Sequence, residues 1–270
     1  ENNQVIEIAS NDGYLLKNFT NNQIPVLGIE PASNVAKIAE KEGIPTVNEF
    51  FGSNTADKVI ESGIKADLLI AFNVLPHVPD LNDFVLGMSK IINDNGIVII
   101  QFSAYLLDVI GKCEFDMVYH EHYSYFSLFT LKQIFESNNL EIFDVEEISV
   151  HGGSLRLFIG RKDVRGISKN IETLLDLEEE NGIYIKERLE KFANEVKQQK
   201  KELNMLLWNL KKEGKKIVGI SAPAKGNALT NYCKISTDLL DYITEKSPLK
   251  IGKFTPGMHI PILSDDKLLE

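Results

Sequence analysis

The chain opens with short β-branched runs alternating with stretches whose apolar residues recur at helical spacing. "QVIEIA" precedes "GYLLKNF", "PVLGIE" precedes "SNVAKIAEKEG", and further runs follow at "IPTV", "ADLLIAF" and "GIVIIQF". Continuous apolar runs of this length suit strands covered on both faces, and the helical stretches between them suit crossovers, so the first half predicts a parallel α/β sheet. From residue 140 the pattern changes. "LEIFDVEEISV" and "GSLRLFIGRK" are parted only by a turn at His151, Gly152 and Gly153, which predicts an antiparallel pair closing the sheet. Between Ile167 and Leu210 apolar positions recur at helical spacing amid Lys and Glu, with a break at Gly182. Two amphipathic helices bridging domains are expected there, their stripes formed by Ile171, Leu174, Leu175, Leu189, Phe192, Val196, Leu203, Leu206, Leu207 and Leu210, and their charged faces solvated. After Gly214 a second α/β unit begins, with strand "KKIVGIS", turn "APAKGN", helix "ALTNYC" and a strand near "DLLDYIT". The expected division is 1–163, 164–213 and 214–270.

Composition narrows the picture. At 270 residues and 43% hydrophobic content the chain can bury one large core or two smaller ones. A net charge of −10 argues against a surface that neutralises a nucleic-acid backbone. No apolar run approaches the roughly 20 residues that span a bilayer, and no signal peptide precedes the first strand. A cytoplasmic protein with no membrane or nucleic-acid partner is expected. Cys113 and Cys233 match neither a metal-ligand spacing nor a disulfide framework, so reduced thiols are expected. "ENNQVIEIAS" enters a strand without an initiating methionine, and "SDDKLLE" stops inside an expected helix; both read as the ends of a fragment.

Candidate chemistry begins at "EIASNDGYLL", where a turn of small and polar residues joins a buried strand to a helix. Backbone N–H groups there can receive a polar or anionic ligand group. The dinucleotide fingerprint is not met, because Ala9 and Asn11 stand where glycines are expected and only Gly13 remains, which would crowd a pyrophosphate. Glu30 closes the second strand, where an acidic side chain commonly takes both ribose hydroxyls. Glu7 and Glu30 around such a turn suit a ligand with a ribose and a positive charge. S-adenosylmethionine fits that description better than a nicotinamide dinucleotide does, and a turn with no ligand remains the bland reading. Asn73 and His77, in "AFNVLPHVPDLNDF", fall at the same carboxyl edge of the sheet.

Two of the five histidines flank Glu121 in "YHEHYSYFS". His120 and His122 have a spacing compatible with zinc or iron in an extended segment, but no third ligand of a recognisable motif accompanies them, and no metal is expected. Packing is the better reading for Tyr123 and Phe126. In "HGGSLR", Ser154 and Arg156 are polar donors behind two glycines, which a hairpin turn explains equally well. Arg156 is a candidate for a diphosphate if it faces the cleft and surface decoration if it does not. Lys225, Gly226 and Asn227 stand where a helix N-terminus could bind a phosphate or base, without a Walker pattern.

Together, "EIASNDGYLL", "FNVLPHVPDLNDF", "YHEHYSYFS", "HGGSLR" and "SAPAKGNALTNYC" resemble the sugar C-methyltransferases, which use S-adenosylmethionine to methylate a carbon of a nucleotide-linked 4-keto-deoxysugar. The likeness runs on to "GKFTPGMHIPIL" and covers nearly the whole chain. It implies a class I methyltransferase, Rossmann-like sheet of seven strands with the last antiparallel, a helical bridge, and a smaller, truncated Rossmann-like C-terminal domain. Zinc belongs to an N-terminal domain of the family whose cysteines are not present here. Methylation at carbon needs a nucleophilic carbon, and removing a proton beside a ketone makes an enolate. Histidine, with an ordinary pKa near ~6.5, suits that task. The resemblance gives it to His122, with Glu121 to orient an imidazole and Tyr119 to donate to the developing oxyanion; His120 is supporting structure. It makes Lys225 and Asn227 holders of the substrate nucleotide. Two other readings stay open, an NAD-dependent nucleotide-sugar oxidoreductase or epimerase and a non-catalytic sugar-nucleotide binding module.

Overall fold

The computed structural model describes residues 3–269; the outermost residues of the expected ranges 1–163 and 214–270 lie outside them. The chain divides into two compact units, residues up to Asp108 with Glu121–Asn181, and Val109–His120 with Gly182 onward. In the first, β1 (Val5–Ile8), α1 (Leu16–Thr20), β2 (Val26–Ile29), α2 (Ser33–Lys41), β3 (Thr46–Val47), α3 (Ser53–Glu61), β4 (Ala66–Phe72), α4 (Leu81–Ile91) and β5 (Ile92–Phe102) alternate. After α5 (Leu106–Gly111) come α6 (Leu128–Glu136), β6 (Leu140–Ile148), β7 (Ser154–Arg161) and α7 (Lys169–Glu180). The seven-stranded sheet runs in the order β3-β2-β1-β4-β5-β7-β6. β1 to β5 pair in parallel, while β7 pairs antiparallel with both β5 and β6. This is the class I methyltransferase fold that the resemblance implied.

Periodicity explains the arrangement. β1 and β2 are buried at every position, so each must be covered on both faces by helices, and a right-handed crossover supplies them. Val5, Leu16, Val26, Ala39, Ile44 and Ile70 form one such interior cluster beneath α1 and α2. At roughly 25 cal/mol per Å² of apolar surface removed from water, burial of this kind is the main term holding the sheet to its helices. Because β1 and β4 are neighbours in register, with Ile8 beside Ala71, the loops that follow them leave the sheet side by side.

Several elements differ from expectation. β5 starts at Ile92 rather than Gly96, because a register irregularity between Ala66 and Leu68 admits extra residues on the β5 side. The second unit contains α8 (Lys186–Lys212), β8 (Val218–Ile220), α9 (Ala224–Cys233), β9 (Tyr242–Glu245) and β10 (Ile262–Ser264), with the three strands parallel in the order β10-β9-β8. α9 begins at Ala224, so "AKGN" is helical rather than a turn; Pro223, whose ring bars the preceding residue from helical backbone, sits at its N-cap. The expected terminal helix is a 3-10 segment over Asp265–Leu269. On α8 the side chains meeting the second core are Leu203 and Leu207, whereas Leu189 and Leu206 of the expected stripe are exposed. The compact units also cut across the expected 164–213 bridge: α7 belongs to the first and α8 to the second. α7 packs on β6 and α6, and its buried Glu178 reaches the start of α6.

α4 crosses α3 closely at Gly87. A Cβ there would lie 2.8 Å from the backbone carbon and oxygen of Gly52, and backbone cannot swing aside as a side chain can. Alanine would gain about 1 kcal/mol in helix propensity, yet overpacking of this kind costs about 1–3 kcal/mol. Gly87→Ala is therefore expected to lower the urea midpoint with the denaturant slope unchanged, while Gly111→Ala, which meets nothing within 4 Å, should be close to neutral.

Candidate active site

The loop after β1 is built on three residues with left-handed backbone: Ala9 (φ 54°), Asn11 (φ 54°) and Gly13 (φ 79°). Only Gly13 is a residue that favours this region, and it is doubly required, since a Cβ would fall 2.8 Å from Ile44 Cγ1. Ala9 and Asn11 thus take the conformation for which a dinucleotide fingerprint spends glycines, Asn being more tolerant of it than Ala. The loop is tied down from β2. Glu30 Oε2 accepts the Asn11 backbone N–H at 3.0 Å, and Oε1 accepts that of Ala32 at 2.8 Å. Asn48 braces the same corner, its amide donating to the Glu30 and Pro31 carbonyls at 2.7 and 3.0 Å and its Oδ1 accepting from Ser33 Oγ.

Glu7 lies one strand away, 3% exposed on β1. Its Oε2 is buried without a hydrogen-bond partner among the described residues. Burial, helped by the nearby charge of Asp12, pushes the carboxyl up to about 8, because desolvation disfavours the charged form. An orphaned, buried acid oxygen beside a loop whose own N–H groups are already taken up by Ile29, Ser10 and Glu30, with a ribose-type acid at the end of β2, fits a ligand that brings both a ribose and a cationic head. S-adenosylmethionine meets this test. The pyrophosphate of a dinucleotide would bring negative charge to the same acid.

On the β4 side, Asn73 is left-handed (φ 56°) and donates its N–H to the Gln101 carbonyl at 2.7 Å. His77 ends the 3-10 turn Leu75–His77, and its Nδ1 stands 2.9 Å from the Glu121 carbonyl oxygen. A carbonyl only accepts, so Nδ1 carries the hydrogen. The Tyr123 N–H donates to the Pro76 carbonyl at 2.8 Å. These two links fasten Glu121–Tyr123 to the loop after β4 and bring the His77 and His122 rings to a centroid separation of 4.9 Å, edge to face. His122 is 9% exposed, and Tyr125 packs at 6.1 Å on it.

Not every expected residue joins this group. Glu7, Ala9, Asn11, Gly13, Glu30, Asn73, His77, Glu121 and His122 share the carboxyl edge of the first unit. Arg156 is also in that unit, but its guanidinium lies against the sheet: Nε and Nη2 donate to Gln101 Oε1 at 3.2 and 2.8 Å, Nη1 meets Glu146 at 3.2 Å, and the Phe72 ring lies 5.9 Å beneath. The guanidinium is thus held by groups of the sheet and by the exposed carboxylate of Glu146. Tyr119, Lys225 and Asn227 belong to the second unit. There Lys225 and Asn227 occupy the first turn of α9, and Asn227 Oδ1 receives the Asn231 amide at 3.2 Å. In the same unit Glu245 closes β9, accepts N–H groups from Ala222, Lys246 and Ser247, and pairs with Lys250. Those backbone donors and the lysine push it down to about 2. Among the described residues no cluster of three or more His, Cys, Asp or Glu could hold a metal ion, and no helix is long and apolar enough to cross a membrane. Both cysteines are free.

Sequence reading passed over Asn48 and Glu178. Asn48 carries no pattern that would single it out. Glu178 does: it follows buried Ile171 and Leu174 at helical spacing, so it falls on the inward face of α7.

The topology and the edge just described are those of a class I methyltransferase. Residues 1–145 match the family described as "Methyltransferase domain", and residues 149–270 match "C-methyltransferase C-terminal domain". The chain belongs to the methyltransferase-domain family, and the match of its second half to a C-methyltransferase C-terminal domain agrees with the resemblance read from its motifs. C-methyltransferase NovU of Streptomyces niveus is 29% identical over 264 residues, 97% of this chain and 63% of that protein. A ubiquinone biosynthesis O-methyltransferase of Azorhizobium caulinodans is 24% identical over 98 residues, 36% of this chain and 39% of the relative. The chain therefore spans less than two thirds of either relative. Among solved structures, magnesium protoporphyrin IX methyltransferase of Synechocystis PCC 6803 with bound SAM aligns with a TM-score of 0.44 at 14% identity, covering 60% of this chain and 71% of that one.

Glu7 sets a pH dependence. Its carboxyl ionises near the ordinary 4.5 when unfolded and near 8 when folded, so the folded state holds the extra proton in between. Stability from this group is complete below about pH 4.5 and is lost as pH rises to about 8. Glu7→Gln, which cannot ionise, should remove this decline, on the order of a few kcal/mol, and be the more stable protein in chemical denaturation at pH 8.

Proposed function

We propose that this protein transfers a methyl group from S-adenosylmethionine to a carbon of a nucleotide-diphospho keto-deoxysugar, by base-catalysed enolate formation in the cytoplasm. The observation that carries the reading is the meeting, on two adjacent strand ends, of a loop suited to an adenosyl cation and a buried imidazole, His122, packed against the half-buried ring of His77. When bound, the cofactor supplies an electrophilic methyl group on a positively charged sulfur. Glu30 would take the ribose hydroxyls, with Ala9, Asn11, Gly13 and Asn73 shaping the surrounding backbone and Glu7 facing the cationic end. The keto-deoxysugar part rests on the sequence resemblance.

His122 is the base in this reading. Its low exposure lowers its competition with water, and a ring edge from His77 limits how it can turn. His77 has its tautomer set by the Glu121 carbonyl, so its Nε2 is left as an acceptor. Glu121 thus acts through its backbone as well as through any carboxylate contact. Tyr119 would donate to the oxygen that gains charge as the proton leaves, a form of stabilisation that is strongest where the donor is already in place. Lys225 and Asn227 would serve the nucleotide, and Arg156, already bound to Gln101, would reach substrate only by sharing its donors. Most of the rate gain would come from alignment of the carbanion with the methyl group.

Two measurements test this. S-adenosylhomocysteine should raise the melting temperature and NAD should not; the reverse would favour the oxidoreductase reading. His122→Ala should slow deuterium exchange at the carbon beside the ketone of a nucleoside-diphospho-4-keto-deoxysugar by about 10²–10⁴-fold, the usual worth of a general base. Normal exchange in that variant would remove the central step.

A further inference from the structure

The Glu178 carboxylate is 0% exposed although it comes from a run of four acidic residues broken only by Leu177, in "DLEEE". It projects from the last turn of α7 onto the start of α6. Oε1 accepts the Leu128 N–H at 2.6 Å and the Tyr105 hydroxyl at 2.8 Å, and Oε2 accepts the Phe129 N–H at 3.2 Å. The first N–H groups of a helix have no partner within the helix, and a negative charge there is favoured by the helix dipole as well. Ser127 completes the cap in a reciprocal pair with Thr130.

What Glu178 touches are the two ends of one excursion of the chain. Tyr105 follows β5, and Phe126 immediately precedes the α6 cap. The two are joined by a parallel bridge, by the Leu106 N–H to the Phe126 carbonyl at 2.7 Å, and by the Phe126 N–H to the Ala104 carbonyl at 3.3 Å. The Phe102 and Phe126 rings meet edge to face at 5.4 Å. His122 lies four residues before this clamp and is held on its other side by Pro76 and His77. His122 sits between Glu121 and Tyr123, which those links fix, and only Ser124 and Tyr125 separate that anchor from Phe126 at the clamp.

We propose that Glu178, with Tyr105, is a positioning residue for His122: one carboxylate pins the base of the loop and so sets where the imidazole stands over the cofactor edge. It does not itself touch a reacting atom. The inference rests on the function proposed above, and its test separates the two. In Glu178→Gln the amide group must turn a donor toward N–H groups that can only donate, so the clamp loosens without a change of size. Tyr105→Phe removes one hydroxyl and leaves the α6 cap in place, keeping the fold should the glutamine variant lose it.

The primary readout is the imidazole C–H resonance of His122, assigned through His122→Ala, which senses the rings of His77 and Tyr125. In both variants it should shift or broaden, while the affinity for S-adenosylhomocysteine changes by less than about two-fold. Exchange beside the ketone of a nucleoside-diphospho-4-keto-deoxysugar should fall by about ten-fold or more in Glu178→Gln, less in Tyr105→Phe, since small misplacements of a catalytic group cost up to ~10²-fold. An unmoved His122 resonance in folded variants would overturn the proposal. Equal losses in exchange and in S-adenosylhomocysteine affinity would overturn it as well, since general loosening does that. A shifted resonance, with His122→Ala exchanging normally, would keep the clamp and sink the base assignment.

Discussion

The architecture of the cofactor edge depends on the grip of the Glu30 carboxylate on the backbone of Asn11. Left-handed backbone costs a residue other than glycine roughly 1–2 kcal/mol, and this loop asks for it at Ala9 and Asn11. A hydrogen bond to a charged group contributes about 1.5–3 kcal/mol, enough to offset much of that strain. The strained turn and the acid at the end of the neighbouring strand are therefore one device. The acid that would meet a ribose is the same acid that holds open the loop above it, so binding and loop geometry are coupled through a single side chain.

The same solution recurs elsewhere. Glu178 gathers two helix N–H groups and a tyrosine hydroxyl, and Glu245 gathers two N–H groups from the loop after β9 and one, that of Ala222, from the loop after β8. In each case a carboxylate stands where main-chain donors would otherwise go unpaired, and unpaired buried donors are costly. Glu245 mirrors Glu30 closely: each ends the second strand of a β-α-β unit, and each reaches back to the loop after the first strand, at Ala222 and at Asn11. The repetition gives the two units one logic, in which an acid at a strand end shapes the neighbouring loop before any ligand arrives.

Much of this fold was legible in the sequence because burial on both faces leaves an unmistakable apolar run. "VIEI", "VLGI" and "LLIAF" could hardly be anything but interior strands, and Gly182 marked the break between α7 and α8. Edges were less legible. Leu189 and Leu206 obey helical spacing yet are exposed, because spacing identifies a face and not whether anything covers it. The site was legible where chemistry is sequential, as at His122 and Glu121, and obscure where it depends on partners far away. Arg156 looked like a free cation until Gln101 and Glu146 were seen beside it. Glu178 looked like surface charge within "EEE", although its inward register with Ile171 and Leu174 was there to be read. Ala9 and Asn11 looked like a defect in a glycine fingerprint, since sequence records the missing residue and not the backbone that forms without it.

That apparent defect bears on which ligand the edge prefers. A pyrophosphate needs close backbone approach and gains from positive surroundings, whereas here a buried group at the edge is the Glu7 carboxyl, with an oxygen that finds no donor among the described residues. Burial keeps that acid from ionising readily, so by itself it is a standing cost. A cation beside it reverses the balance, because an opposite charge within a few ångströms favours the ionised form and is screened little in a buried setting. The orphan oxygen would then gain the partner that the described residues do not supply. In the proposed reading, charge more than shape would favour a sulfonium cofactor on this sheet edge.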